Sequence, residues 1–320
     1  PPQDLVILDA GCGSGYKALA LALANPGAKI VGIDFSPNSV ELAKKRLEFH
    51  QIPNHEFHVL PIEKVGELGL VFDYINCDEV LYLMPDPIAT LTVLKQVLKP
   101  QGILRVNVHN QYQRQLYFQA QEFFGLLGLM QDNPEEFELK TVQEIMEQLV
   151  DKCDLKRVTW NKSYEGELND KISEFILMNC LLQGDKGFTI PQIFEYLEGA
   201  DLEFVEMVNW PKWRLKSLFK DPKNLPTVLS LAVEEATQAE ILHLVNLLHG
   251  GERLLDLWCG HPNGELPIVP QGQAMVSFHP QLRNKEVQEV WQAHLQGGRP
   301  LILSKYLRLP AQGPLQTEQA

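Results

Sequence analysis

Short apolar runs and helix-period segments alternate through residues 1–112. "DLVILDA" (4–10) is a short apolar run ending in a glycine loop, as a buried parallel strand does. "YKALALALA" follows, rich in Ala and Leu and halted by Asn25-Pro26-Gly27, so it reads as a helix. "AKIVGID" (28–34) is a second strand. "SPNSVELAKKRLEFH" opens with Ser36 as N-cap and Pro37 at the first helical position, and puts Val40, Ala43 and Leu47 on one face. Strands at 56–60 and 70–77, a helix capped by Asp86 ahead of Pro87, and a fifth strand "ILRVNVH" (103–109) complete the series. Repeated β-α connections of this length imply a parallel sheet with right-handed crossovers, a doubly wound α/β unit.

After Tyr112 the rhythm changes. Residues 113–187 read as a mostly helical insertion, through "RQLYFQAQEFFGLLGLM", "TVQEIMEQLV" and "DKISEFILMNCLL", with an irregular stretch near 154–168. The α/β rhythm returns over 188–260. Thr189 and Gln192 form a capping-box pattern for "IPQIFEYLEGA", "LEFVEMVNW" is strand-like, and a helix pattern covers 234–249 ahead of "ERLLDLWC". Residues 261–320 are an extension whose end, "RLPAQGPLQTEQA", is expected to be disordered. The insertion has two readings: a lid over the site, or a homodimer interface built on "YFQAQEFFGLLGLM", which is apolar on more than one face.

With 320 residues, 45% of them hydrophobic, the chain can bury a large core. No apolar run reaches the ~18 residues of a membrane span. The net charge of −13 and the lack of a basic block argue against nucleic acid or an anionic membrane surface as partner. Five scattered cysteines suit free thiols in a reducing cytoplasm better than a disulfide framework. The start, "PPQDLVILDAG", reads as a trimmed fragment without a signal peptide.

Chemistry concentrates in "DAGCGSG", set between a strand and a helix where a parallel sheet opens its ligand crevice. Gly11, Gly13 and Gly15 allow a tight turn and close backbone approach. Asp34 ends the second strand, where a carboxylate can accept ribose hydroxyls. A dinucleotide fingerprint would need glycine at position 16, which is Tyr16. Asp9, directly before the loop, would repel a pyrophosphate and suit a cation. The favoured ligand carries a ribose and positive charge but no phosphates, and S-adenosylmethionine fits.

"VILDAGCGSG", "IVGIDFSPNSVELAKKR", "FDYINCDEVLYLMPDP" and "VLKPQGILRV" together resemble successive motifs of class I S-adenosylmethionine-dependent methyltransferases, in order and spacing over residues 4–110. More weakly, "GFTIPQIFEYLEGADLEFVEMVNW" resembles bacterial members with a helical extension. The resemblance implies a Rossmann-like sheet of five parallel strands with a late antiparallel closing strand. It implies that Asp9, Gly11, Gly13 and Gly15 line the methionine moiety, with Cys12 of the same loop also at the cofactor site, that Asp34 holds the ribose and that Phe35 packs near the adenine. Relatives place an acidic residue after the third strand against the adenine. Here that position falls on Pro61-Ile62, so their backbone, or Glu63, is the substitute. Asn76 and Cys77 would flank the methionine end through backbone carbonyls.

Methyl transfer is an in-line displacement in which the enzyme mainly supplies alignment, and a general base is needed only if the acceptor must lose a proton. Such a group belongs at the ends of strands four and five. Asp78, Glu79 and Tyr82 lie at the first, and His109, Asn110 and Tyr112 at the second. His109 is the leading base because its ordinary pKa is near neutrality; Asp78 and Tyr82 are further catalytic candidates. The acceptor is an unidentified small molecule or protein side chain, and the negative charge leans toward cationic or neutral ones. A cofactor-binding protein without catalysis and, more weakly, an NAD-dependent oxidoreductase are the competing classes. No metal is expected: His55 and His58 would point to opposite faces of a strand.

"LLDLWCG" (254–260) echoes "ILDAGCGSG" but puts Trp258 at the position of Gly11 and Pro262 at that of Gly15. A second cofactor site is therefore not expected. The segment reads as the antiparallel strand that closes the sheet, with Asp256 structural.

Overall fold

Residues 5–262 and Gly264 are described by the computed structural model; the expected disordered end, and all of the extension beyond Gly264, lie outside them. The leading strands are β1 (Val6–Ala10), β2 (Lys29–Asp34), β3 (His55–Val59), β4 (Phe72–Cys77) and β5 (Leu98–Asn110). They are joined later by β6 (Gly187–Phe188), β7 (Glu203–Met207) and β8 (Leu254–Gly260). The order across the sheet is β3-β2-β1-β4-β5-β8-β7, with the two-residue β6 pairing to β5 off that path. Strands β1 to β5 pair in parallel, and β8 runs antiparallel to both β5 and β7. The echo segment is therefore the closing strand.

Alternate residues of β1 feed opposite layers, as strand geometry requires. Ile7 joins a core with Ala18 and Leu19 of α1 (Tyr16–Ala24) and Val40, Ala43 and Leu47 of α2 (Pro37–Phe49). Leu8 joins the larger core on the other face, with Leu91 and Leu94 of α3 (Pro87–Gln96). Both α2 and α3 start as their sequences predict: Ser36 accepts from the Ser39 amide at 3.3 Å and Asp86 from the Ala89 amide at 3.0 Å.

The insertion comprises α4 (Gln111–Leu126), α5 (Glu136–Gln148), α6 (Asp154–Thr159) and α7 (Asp170–Phe175), which runs into a π-helical turn over 176–180. It has its own core of Ala120, Phe124, Val142, Met146, Ile172 and Ile176. Phe123, Leu126 and Leu127 at the end of α4 remain exposed. Beyond it come α8 (Ile190–Gly199), with the predicted Thr189–Gln192 capping box, α9 (Thr227–Glu235) and α10 (Gln238–Leu248).

Besides β5, which begins at Leu98 and not at 103 because α3 already ends at Gln96, three elements differ from the sequence reading. The helix pattern over 234–249 is two helices, because Thr237 breaks the chain and caps α10, accepting from the Glu240 amide at 3.3 Å. The irregular stretch near 154–168 holds α6. The third is β6, too short for any periodicity to show.

Candidate functional site

The glycine loop leaves β1 and turns into α1 with Gly11, Gly13 and Gly15 all at positive φ. The three glycines serve different ends. A Cβ on Gly15 would lie 2.7 Å from Ala43 Cα, so that glycine lets α1 meet α2. One on Gly11 would lie 2.4 Å from Val80 Cγ2, beside the loop after β4. A Cβ on Gly13 would meet nothing within 4 Å, so this glycine borders open space, and its amide donates to Asp34. No side chain caps the N-terminus of α1.

Asp9, at the mouth of β1, is buried. Its Oδ1 accepts from Asn76 Nδ2 at 2.8 Å, while Oδ2 has no hydrogen-bond partner. Burial pushes its carboxyl up to about 6. A buried carboxylate oxygen without a donor is costly, and a cationic ligand would supply what it lacks. Asp34, ending β2, is held by two backbone amides, Gly13 N to Oδ2 and Ser36 N to Oδ1, both at 2.9 Å. Phe35 is 81% exposed, so it packs in no core and its ring is free for a planar ligand. The Leu60 amide donates to Asp34 O at 2.9 Å, which brings 61–63 beside the same strand end. There Pro61 and Glu63 are exposed, whereas the Ile62 side chain is in the core. The orphaned oxygen, the open glycine, the oriented Asp34 and the bare Phe35 form a donor set that fits S-adenosylmethionine.

Cys12 and Cys77 are buried, and burial raises both thiols, Cys77 to about 12, which leaves them unreactive packing groups. Asn76 acts through its side chain as well as its position. It donates to Asp9 and accepts from Arg105 Nη1 at 2.9 Å. Arg105 in turn holds Asp256 of β8 bidentately (2.9 and 2.7 Å) and approaches Asp78 Oδ1 at 3.0 Å. Asp78 also accepts from Asn107 and pairs through Oδ2 with Lys17 Nζ of α1 at 2.6 Å. Burial opposes its charge, but the Lys17, Arg105 and Asn107 contacts outweigh it and hold its carboxyl below the usual range. Asp78 is thus a paired, ionised carboxylate.

Past Val80 the chain reaches Tyr82, whose buried ring stacks on His109 at 3.8 Å between centroids. His109 is buried with both nitrogens engaged. Its Nδ1 lies 2.6 Å from Asp185 Oδ1, and Arg253 Nη1 lies 3.2 Å from its Nε2. A guanidinium can only donate, so these partners define a neutral ring with the proton on Nδ1, and burial lowers its pKa accordingly. Asp185 also accepts from Arg114 and Gln121 of α4, each at 2.9 Å, tying the insertion to β5. Asn110 caps α4, accepting from the Tyr112 amide at 3.1 Å. Tyr112 is partly exposed.

The Tyr82 hydroxyl is buried and has no partner, and it borders a cavity of about 390 Å³ between the core and the insertion. Glu79 and Arg253 line the core side, while Tyr164, Glu174, Phe175 and Asn179 line the other. Glu79 adopts φ +60 and is clamped by Arg253 at 2.6 and 3.1 Å. Such backbone strain gathers at functional sites. Burial raises the Tyr82 phenol far above neutrality, so it is a hydrogen-bonding group and not a proton acceptor.

Lys17, Arg105, Asn107, Arg114, Asp185 and Arg253 went unnoticed in the sequence. A signal for three polar partners was present in β5, where Arg105, Asn107 and His109 occupy alternate positions between Leu104, Val106 and Val108. A polar stripe on a buried strand must be hydrogen-bonded. Among the described residues no group of three His, Cys, Asp or Glu could hold a metal, and no helix is long and apolar enough to cross a membrane.

Residues 2–185 match a family described as methyltransferase domain. An uncharacterised protein of Synechococcus sp. is 28% identical over 214 residues, covering 67% of this chain and 51% of the relative. A ubiquinone biosynthesis O-methyltransferase of Pasteurella multocida is 35% identical over 107 residues, 31% of this chain and 43% of that protein. The chain thus spans about half the length of the curated relatives it matches. Among solved structures, PKMT2 from Rickettsia typhi in complex with AdoHcy superposes with a TM-score of 0.63 at 20% identity, over 82% of this chain and 50% of that one. That likeness is one of fold.

Proposed function

The chain belongs to the methyltransferase domain family, and from that premise we propose that it moves a methyl group from S-adenosylmethionine to a small-molecule or protein side-chain acceptor seated beside Tyr82. The observation that carries this reading is a pair of buried, unpartnered polar atoms, Asp9 Oδ2 near the end of β1 and the Tyr82 hydroxyl in the 3-10 turn that follows the adjacent strand β4. Val80 abuts the glycine loop just before Tyr82, so the cleft and the cavity are neighbours.

When bound, S-adenosylmethionine supplies a methyl group already activated by a sulfonium. The chain's residues hold and align. Asp34 and the Gly13 backbone face the ribose side, Phe35 the base, and Asp9 the cationic methionine end. The Asp9, Asp78 and Asp256 carboxylates face two cations, Lys17 and Arg105, leaving one negative charge in excess when all are ionised. That surplus matches a ligand with one net positive charge. Tyr82, kept in place by His109 and the Asp185–Arg114 pair, offers its hydroxyl to the acceptor, and alignment supplies the rate. His109, with both nitrogens engaged, serves in this arrangement as a positioning group. The net charge of −13 favours a cationic or neutral acceptor, while the cavity wall itself is balanced, Glu79 and Glu174 facing Lys171 and Arg253.

The test is a radiolabelled-methyl screen of source-organism lysate with the full-length protein. Label moved to an acceptor by wild type and lost with Asp34→Ala supports the reading. No transfer despite S-adenosylmethionine binding would assign the protein to cofactor sensing without catalysis.

A further inference from the structure

The net charge of −13 is unevenly laid along the chain, and two exposed segments complement each other. From Glu122 to Glu138, where α4 gives way to α5, there are five carboxylates and no cation. Glu122, Asp132, Glu135 and Glu136 are exposed, and of the five only Glu136 has an ion-pair partner, Lys140. Apolar side chains stand among these charges. Phe123, Leu126 and Leu127 share one face at the end of α4, and Leu126 and Phe137 are 82% and 70% exposed. The insertion's own core, around Phe124 and Met146, does not cover them. The second segment is opposite in charge. From Trp210 to Leu231, Lys212, Arg214, Lys216, Lys220 and Lys223 stand against one carboxylate, Asp221. All five cations are exposed. Lys212 pairs with Glu252 at 2.6 Å and Arg214 lies 4.0 Å over the Trp210 ring. Lys216, Lys220 and Lys223 have no carboxylate partner among the described residues. Here too apolar groups are bare: Trp210, and Val228 and Leu231 one turn apart on α9, a helix without a buried residue that ends in Glu234 and Glu235.

Exposed apolar groups edged with charge mark protein contacts. Like charges oppose either segment pairing with its own counterpart about a two-fold axis, whereas the two segments attract each other. An anionic lipid or nucleic acid would meet the second segment only and leave the first bare. Each segment runs to about 20 residues, the size of one side of a standard interface. We propose that the 122–138 face of one copy of this chain docks on the 210–231 face of a second copy. Lysines of one protomer then meet carboxylates of the next, and Leu126 and Phe137 meet Val228 and Leu231 between them. The contact is heterologous, so each pairing leaves one face of either kind free, and the assembly closes into a ring or extends.

The experiment is sedimentation velocity of the full-length protein over a concentration series, with light scattering for mass and melting curves to check folding. Wild type is compared with two variants altered only at exposed positions, Lys216→Glu/Lys220→Glu/Lys223→Glu and Leu126→Ser/Phe137→Ser. Wild type is expected to gain mass with concentration at about 0.1 M salt and to lose it at about 1 M, where the reach of exposed charges falls from about 10 Å to about 3 Å. Each variant alone is expected to stay monomeric. A mixture of the two is expected to form a one-to-one dimer that grows no further, because one intact face of each kind remains. Wild type that stays monomeric at every concentration would overturn the proposal. So would association retained by the lysine variant, which would assign the contact to two insertions, or a mixture that does not dimerise.

Discussion

Asp9 is a site where binding is purchased with stability, and Asp9→Asn measures the exchange. Burial raises its carboxyl from an ordinary value near 3.8 to about 6. At roughly 1.4 kcal/mol per pH unit, that elevation costs the native state about 3 kcal/mol once Asp9 is ionised. Asparagine keeps the acceptor for Asn76 Nδ2 but buries a new amide donor, which returns about 1–2 kcal/mol of the gain. A net stabilisation of about 1–2 kcal/mol and a melting temperature higher by a few degrees are expected at pH 8. The sign with pH follows from the raised native value. The native state holds the extra proton between about 4 and 6, so the penalty is full above about pH 6 and vanishes below about pH 4. Urea denaturation of both proteins at pH 8 and near pH 4 provides the assay, and acid effects elsewhere cancel in the difference. S-adenosylmethionine affinity should drop in the same variant. A variant less stable than wild type at pH 8, or a gain unchanged at pH 4, would refute the claim that Asp9 is a strained carboxylate awaiting a cation.

Gly13→Ala and Gly15→Ala should part company. The first meets open space and is expected to fold, at about 1–2 kcal/mol for its positive φ, yet to lose cofactor binding by calorimetry. The second collides with Ala43 and should cost several kcal/mol in urea denaturation. Tyr82→Phe removes an unpartnered hydroxyl, so stability should hold or rise slightly, while loss of its hydrogen bond to the acceptor lowers methyl transfer about 10–100-fold at unchanged cofactor affinity. His109→Leu strips a partner from buried Asp185 and should destabilise by about 3 kcal/mol. Because burial keeps His109 neutral, its contribution is present above pH ~6.5 and shrinks as pH falls; wild type should therefore lose stability between pH 7.5 and 5 that the variant does not.

Strong local periodicity made most of the sheet readable in advance. Strands β1 and β2 are apolar runs, the inner half of β5 alternates apolar with polar residues, and Ser36, Asp86 and Thr189 cap helices where their side chains predict. The break at Thr237 was hidden because "EEATQAEILHLVNLLH" keeps a helical composition across it. The cofactor side was legible for a similar reason: Asp9, the glycines and Asp34 lie at fixed chain distances set by one β-α-β unit. The acceptor side was not. Asp185 sits in a "GDKG" turn and Arg114 on a polar-rich helix, and neither shows from the chain alone that it will meet His109 in the interior. That meeting comes from the insertion folding back onto the end of β5, a tertiary event with no local signature.

The most direct test of the cofactor assignment is calorimetric titration of S-adenosylmethionine and of NAD into the full-length protein, alongside Asp34→Ala. One-to-one binding of S-adenosylmethionine that Asp34→Ala abolishes, with no heat from NAD, is the predicted result. Binding of NAD without S-adenosylmethionine would contradict it.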